Sequence, residues 1–240
     1  MAGANFGIDA PGVIRNFVLL AFAGLLLAWL LPRLAPGSER AIGFSRMGAT
    51  MSLVFAAQAA TMLWTSLMGK RIAARQLIDR AGLSGTERVL DVGCGKGLLL
   101  LAAAQRLDRG RAVGLDIWNS DDLSGNRREA TLDNARALGL LDRVELSDGD
   151  MRAMPFEDAS FDVVVSSLAV HNVYDPAERA RALAEIVRVL RPGGRLLLQD
   201  FRHTADYAKF FRDAGLHDVS RRLVNPLLMF PPTWRVEATR

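Results

Sequence analysis

A parallel α/β sheet covered by helices on both faces, with an apolar helical region ahead of it, is the fold class the sequence predicts. Three observations predict it. From residue 70 onward, short apolar runs of strand length alternate with helical repeats. The first of those runs ends in a glycine cluster, D-V-G-C-G-K-G at 91–97, as expected where a strand turns into a helix beside a ligand. Ahead of residue 70 lie two long stretches without a charged residue.

The apolar region is first in chain order. Residues 16–31, N-F-V-L-L-A-F-A-G-L-L-L-A-W-L-L, are uncharged and closed by Pro32 and Arg33, and residues 47–69 are uncharged as well. A membrane-spanning helix needs roughly 17 to 25 mostly apolar residues, which predicts candidate helices over 13–32 and 47–69. The second is diluted by Thr50, Ser52, Gln58, Thr61, Thr65 and Ser66, and such small and hydroxylated residues suit helix–helix contact in a bilayer. Trp29 and Trp64 lie near segment ends, where indoles favour the interface. These features favour a helical hairpin, either two spans or one span with an interfacial helix. A signal peptide for the first stretch and a soluble helical cap for the second are the alternatives. Lys70, Arg71, Arg75 and Arg80 place the following domain on the cytoplasmic side by the positive-inside tendency, whereas Arg33, Arg40 and Arg46 in the connection argue against a simple hairpin. The expected organisation is a hydrophobic membrane region over 1–69 and a second domain over 70–240.

In that domain, residues 70–83, K-R-I-A-A-R-Q-L-I-D-R-A-G-L, repeat as an amphipathic helix. Strands are predicted at 88–94, 111–117, 143–149, 161–167 and 194–200, with helical stretches between them, and this alternation implies parallel pairing. Asp175 can cap a helix, Pro176 suits its first turn and Glu178 completes a capping-box-like pattern. Leu183, Ile186, Val187 and Leu190 follow at helical spacing, and R-P-G-G at 191–194 is expected to end that helix. Residues 217–240 read as two strands around a proline-rich connection, an antiparallel edge.

Composition excludes several functions. Half of the residues are hydrophobic, and the net charge is +4. From residue 70 on, 26 basic and 24 acidic residues are interleaved, so no basic run marks a nucleic-acid footprint. One cysteine, Cys94, excludes an internal disulfide, and with three scattered histidines it makes no zinc pattern; no metal is expected.

Gly93, Gly95 and Gly97 let backbone approach a ligand, and the next strand ends in Asp116, 21 residues beyond Gly95, where a carboxylate can accept ribose hydroxyls. Dinucleotide-binding oxidoreductases share these features, but their G-x-G-x-x-G pattern has glycine where this chain has Leu98. A ligand without a pyrophosphate does not need that glycine.

V-L-D-V-G-C-G-K-G, G-L-D-I-W, S-D-G-D-M-R-A-M-P-F-E-D-A-S-F-D-V-V-V-S-S-L-A-V-H-N-V and V-L-R-P-G-G-R-L-L-L-Q-D, in this order, resemble the successive motifs of class I S-adenosylmethionine-dependent methyltransferases. The nearest likeness is to the branch that includes ubiquinone and menaquinone C-methyltransferases, and it covers about residues 70–240. G-L-D-I-W-N-S-D-D-L-S-G-N further resembles bacterial methyltransferases with hydrophobic N-termini. The resemblance implies a Rossmann-like class I methyltransferase sheet with an antiparallel C-terminal edge and S-adenosylmethionine as cofactor. It puts Asp91, Gly93 and Gly95 beside the methionine part, Asp116 on the ribose, Ile117 against the adenine, Asp150 on the adenine amino group and Met151 beside the ring. Cys94, Gly97, Trp118 and Ser166 complete the implied cofactor side. As a solvated turn residue, Asp150 also fits S-D-G-D without a ligand.

Methyl transfer from a sulfonium is an in-line displacement in which the protein mainly aligns donor and acceptor. No feature near Cys94 identifies an activating base, so a small loop-filling role is its default. His171, just past the fourth strand, is the candidate base, and Asn172 could orient it or the substrate; a loop or packing role for His171 is the alternative. Asp200, Arg202 and His203 fall on the same edge, although a charged helix start accounts for Asp200 and Arg202 equally well. The two halves are joined best by an enzyme that methylates a small apolar or membrane-partitioned acceptor, such as a quinone, an isoprenoid or lipid, or a hydrophobic thiol, with membrane lipid as its other partner. A methyltransferase of a protein or soluble metabolite and a non-catalytic cofactor-binding protein are the alternatives. Residues 47–69 would help roof the site, and removal of residues 1–69 is expected to spare cofactor affinity while depressing turnover of a membrane-borne acceptor.

Overall fold

A computed structural model describes residues 3–119 and 125–240, and the chain separates into two compact units, Ile8–Met68 and residues 3–7 with Gly69–Arg240. Residues 120–124 of the G-L-D-I-W-N-S-D-D-L-S-G-N segment lie outside the described residues.

The smaller unit is a pair of long helices, α1 (Pro11–Leu34) and α2 (Glu39–Trp64), followed by a π-helical turn that begins at Thr65. Both boundaries differ from the uncharged stretches. α1 continues through Pro32, because a proline in the last turn removes only one hydrogen bond; the freed carbonyl of Ala28 accepts from Ser45 Oγ at 2.8 Å. α2 starts eight residues before the uncharged run, because Ser38 caps it by accepting from Ala41 N–H and Glu39, Arg40 and Arg46 project from the helix without interrupting it. Gly24 and Gly48 form the crossing. A Cβ on Gly48 would stand 2.8 Å from the Gly24 carbonyl oxygen, and one on Gly24 would stand 2.6 Å from the Gly48 oxygen. Ser52 Oγ donates to Ala21 O at 2.6 Å, and Phe17 stacks on Phe55 with centroids 5.9 Å apart. Small-residue contact with interhelical hydroxyl bonds is how helices associate where apolar burial supplies no drive. Away from this seam the surface is apolar: Leu19, Phe22, Leu26, Trp29, Phe44 and Leu53 are all exposed.

Gly48→Leu is therefore expected to separate α1 from α2, costing about 1–3 kcal/mol as overpacking does. Cysteines replacing Phe17 and Phe55 should cross-link in the otherwise native chain and fail to do so with Gly48→Leu; undiminished cross-linking would refute the glycine crossing.

The larger unit begins with α3 (Lys70–Ala81) and a seven-stranded sheet: β1 (Arg88–Val92), β2 (Arg111–Asp116), β3 (Val144–Asp148), β4 (Phe161–Ser167), β5 (Leu190–Asp200), β6 (His217–Leu223) and β7 (Trp234–Thr239). The order is β3-β2-β1-β4-β5-β7-β6, parallel throughout except β7, which is antiparallel to both neighbours. β5 starts at Leu190, so R-P-G-G at 191–194 belongs to the strand rather than ending the helix; Leu190 already pairs with Phe161.

Alternation along the strands feeds two cores. Val89, Val163 and Val165 pack with α3 and with α4 (Leu98–Ala104). Leu90, Val92 and Val164 pack with α6 (Pro176–Val189) and α7 (Thr204–Asp213). Asp175 caps α6 through Oδ1, accepting from Ala177 N–H at 2.8 Å and Glu178 N–H at 2.9 Å. Ala4 and Phe6 are buried in the first core, so residues 3–7 pack with this sheet. Strand order reverses between β1 and β4, and such a switch point opens a crevice at the carboxyl ends of the strands.

Candidate active site

The crevice is built first by the turn that leaves β1. Gly93, Gly95 and Gly97 all have positive φ, at 72°, 52° and 82°, a region in which side chains are strained. At Gly93 space also forbids one: a Cβ would stand 2.3 Å from Ala169 Cβ and 3.7 Å from the Met151 methyl. Three sequence-distant loops, after β1, β3 and β4, therefore meet at Gly93.

Asp91 is 2 % exposed and accepts from Leu100 N–H at 2.9 Å. Burial, set against that one hydrogen bond and reinforced by the nearby Asp116 carboxylate, raises its pKa to about 7. Asp116 ends β2 and accepts from Gly95 N–H and Trp118 N–H, both at 2.7 Å, and from Asn126 Nδ2 at 3.1 Å. Two carboxylates thus converge behind a glycine turn, acceptors suited to an ammonium or to vicinal hydroxyls.

Cys94 departs from the expected set. Its N–H donates to Leu115 O, its sulfur lies in the core where a Cβ on Gly114 would stand 2.7 Å from it, and burial first, then Asp91 and Asp116, pushes its pKa well up. Its sulfur fills space in the first core. Ser166 is likewise turned inward, its hydroxyl donating to Val92 O at 2.7 Å in the sheet. Both carry polar atoms already used within the protein, which spacing alone does not reveal.

The residues expected on the adenine side lie after β2 and β3. Ile117 is 59 % exposed, a large apolar side chain left open. Trp118, at φ 59°, donates from Nε1 to Asp148 Oδ1 at 2.7 Å, so its ring is held across the β2–β3 ends. Asp150 is paired: Arg152 Nε reaches both of its carboxylate oxygens at 2.9 Å, and Arg152 N–H donates at 2.8 Å. Hydrogen bonding from Arg152 accordingly holds the Asp150 carboxyl below its usual range. The Asp150–Met151 loop is braced from α6, where Glu185 accepts from Met154 N–H at 2.7 Å and Arg188 donates to Phe156 O and Met154 O.

On the opposite side, His171 lies in a 3-10 turn after β4. Its N–H donates to Asp200 Oδ2 at 3.1 Å, and its Nδ1 stands 2.8 Å from Asp200 Oδ1. Nδ1 forms no hydrogen bond there, and the approach is a close contact between the ring and a buried carboxylate. Asp200 is 2 % exposed, accepts from Phe201 N–H at 2.8 Å and Tyr207 Oη at 3.3 Å, and does not cap α7, whose cap residue is His203. The charged-helix-start reading of Asp200 is thereby replaced by a buried carboxylate under a histidine. Phe201 packs edge-on against the His171 ring, with centroids 4.5 Å apart. Asn172 donates its N–H to Ala169 O, which joins this turn to the wall at Gly93.

Sequence reasoning missed the residues that hold the glycine turn from behind. α5 (Arg128–Ala137) supplies Thr131, whose Oγ1 donates to Gly95 O at 2.6 Å, and Asn134, whose Nδ2 donates to Lys96 O at 2.9 Å. A polar residue on a helix carries no mark in sequence of a carbonyl 36 or 38 residues away. Among the described residues no group of three or more His, Cys, Asp or Glu side chains could hold a metal ion.

Comparison with known proteins places this geometry. Residues 90–198 match the family model of the methyltransferase domain. The chain is 38 % identical over 125 residues to the ubiquinone/menaquinone biosynthesis C-methyltransferase UbiE of Roseobacter denitrificans, covering 52 % of this chain and 45 % of that protein. It is 30 % identical over 154 residues to the chloroplastic 2-phytyl-1,4-beta-naphthoquinone methyltransferase of Arabidopsis thaliana, covering 64 % and 56 %. The chain thus spans about half the length of the relatives it matches. A solved S-adenosylmethionine-dependent methyltransferase of Aquifex aeolicus shares the fold at TM-score 0.55 and 20 % identity, over 69 % of this chain and 88 % of that one. Glycine turn, paired acids and strand order agree with these matches, and residues 90–198 are thus similar to methyltransferase domains.

Proposed function

We propose that the protein is a membrane-attached enzyme that transfers a methyl group from S-adenosylmethionine to a small apolar or membrane-partitioned acceptor. The observation that carries the transfer is the convergence at Gly93 of a buried acidic crevice with the wall that bears His171. When bound, S-adenosylmethionine supplies an activated methyl group on a sulfonium. Asp91, Gly93 and Gly95 would take its methionine part, Asp116 its ribose, and Ile117, Trp118 and Met151 its adenine. The pairing of Asp150 with Arg152 means that an adenine amino group reaches this carboxylate only by sharing it. His171 would receive the proton of an acidic acceptor. Its Nδ1 faces Asp200, which leaves Nε2 to meet the acceptor, and Asp200 holds the ring in place.

An apolar acceptor is supported by the relatives, which are named for quinone substrates, and by the exposed apolar surface of α1 and α2. Both helices are long and apolar enough to cross a membrane. Residues 3–7 and 69–240 belong to one unit, so two spans, an even number, would return the chain to the side on which it started. Arg33 and Arg40 then flank the far turn. Lys70 and Arg71 bind backbone carbonyls of residues 4–7, so their charges are weaker topology signals than their positions suggest. A membrane anchor concentrates enzyme where an apolar acceptor dissolves.

The test is incubation of detergent-purified protein with methyl-labelled S-adenosylmethionine and a native membrane extract, following label into organic, aqueous, volatile and protein fractions. Label in the organic or volatile fraction, lost with heat-killed protein and with Asp116→Ala, is the expected result. Label confined to protein or to the aqueous fraction would overturn the apolar-acceptor reading.

A further inference from the structure

Residues 3–7 reach the glycine turn through a chain of buried contacts. Ala4 and Phe6 are 6 % and 3 % exposed, in one cluster with Leu77, Ile78, Leu99 and Leu101. The carbonyls of this short segment are taken up by side chains: Ala4 O by Arg71 Nη2 at 3.2 Å, Asn5 O by Asn134 Nδ2 at 3.0 Å, and Phe6 O and Gly7 O by Lys70 Nζ at 3.1 and 3.0 Å. Arg71 also lies over the Phe6 ring at 5.3 Å. An extended segment with no strand partner is thus satisfied almost wholly by three side chains.

Asn134 is the splice between this segment and the ligand loop. Its Oδ1 accepts from Asn5 N–H at 2.7 Å, while its Nδ2 donates both to Asn5 O and to Lys96 O, at 3.0 and 2.9 Å. Only one orientation of the amide satisfies an N–H on one side and two carbonyls on the other. Residue 5 therefore fixes the amide that holds Lys96, in the middle of Gly95-Lys96-Gly97. With residues 3–7 displaced, Oδ1 loses its donor and Nδ2 one of its two acceptors, so the amide is no longer fixed toward Lys96.

We infer that residues 3–7 are a working part of the cofactor site, a strap that sets the Gly95–Gly97 turn through Asn134. The inference rests on the reading above that this turn receives S-adenosylmethionine. It replaces the expectation that removing residues 1–69 spares cofactor affinity: such a deletion also removes the strap, so cofactor affinity and acceptor turnover fall together.

The test uses the full chain in detergent, with S-adenosylmethionine affinity measured by calorimetry and amide exchange of residues 95–97 measured without ligand. Phe6→Ala is expected to weaken affinity about tenfold and to speed exchange at residues 95–97, with Phe6→Leu returning most of both. Leu190→Ala, a truncation in the other core at the start of β5, serves as control; it should lower Tm comparably and move neither quantity. Unchanged affinity and exchange in Phe6→Ala overturn the strap, as does an equal change in Leu190→Ala. Should Phe6→Ala fail to fold, Phe6→Val must still speed exchange at residues 95–97. If the native chain does not bind S-adenosylmethionine, the cofactor reading falls, while the exchange data still decide whether the strap holds the turn.

Discussion

Affinity for S-adenosylmethionine is expected to rise with pH up to about 7 and then level off, and Asp91→Asn should both weaken binding and flatten that profile. Asp91 has its folded pKa raised to about 7 by burial, with Asp116 adding to the effect. A cationic ligand beside Asp91 favours the ionised form and must expel its proton, so apparent affinity climbs about tenfold per pH unit below that pKa. Asparagine keeps an acceptor for Leu100 N–H but has no charge to offer; losing a charge-assisted hydrogen bond of about 1.5–3 kcal/mol predicts roughly 10- to 150-fold weaker binding at pH 8. The free protein should respond with the opposite sign. Between the unfolded and folded pKa values the native state holds more protons, so its stability is greatest at the acid end and falls as pH rises through about 7. Calorimetric titrations and Tm measurements from pH 5 to 9 on both proteins check this, and a pH-independent affinity in the native protein would sink it.

The second large effect concerns turnover. His171→Ala is expected to lower kcat by about two to four orders of magnitude, the usual contribution of a positioned base, with cofactor affinity within about twofold. Asp200→Asn should lower kcat about 10- to 100-fold by leaving the ring without its oriented partner. Added imidazole should recover part of the turnover in His171→Ala and none in Asp200→Asn, where the ring still occupies the site. Single-turnover rates with the labelled acceptor fraction measure all three. A kcat unchanged in His171→Ala would leave His171 a packing residue beside Phe201.

Much of this architecture is legible in the sequence, because strand and helix periods are local. The predicted strand at 161–167 coincides with β4, and the Asp175 cap forms the two hydrogen bonds that its spacing suggests. Helix limits were less legible where charge stood in for structure: α2 begins at its Ser38 cap and not where the charges stop. The acidic and glycine positions of the site could be read because they flank strand ends. Their environment could not. Whether a residue near a strand end faces the crevice, the sheet or a salt bridge depends on side-chain direction, and this separates Asp91 from Cys94 and pairs Asp150 with Arg152. Asp200 falls on the ligand edge by sequence, yet its place beneath His171 depends on burial and on Tyr207, which no local pattern encodes. Thr131 and Asn134 lay furthest from view, since their partners are joined to them only by the fold.

The strap also bears on the order of events during synthesis. Residues 3–7 leave the ribosome well before Asn134, a partner 129 residues beyond Asn5, and before both apolar helices. They can dock only after those helices have been made and the sheet beyond them has formed through β2 and α5. A segment made early is thus among the last to settle, and a contact of such sequence separation closes slowly. Until it does, Phe6 lacks its native packing and the glycine turn lacks its brace, so a nascent chain with a finished sheet would still lack a finished ligand loop. Completion of the N-terminal contact, rather than completion of the sheet, would mark the moment at which the domain becomes competent to bind.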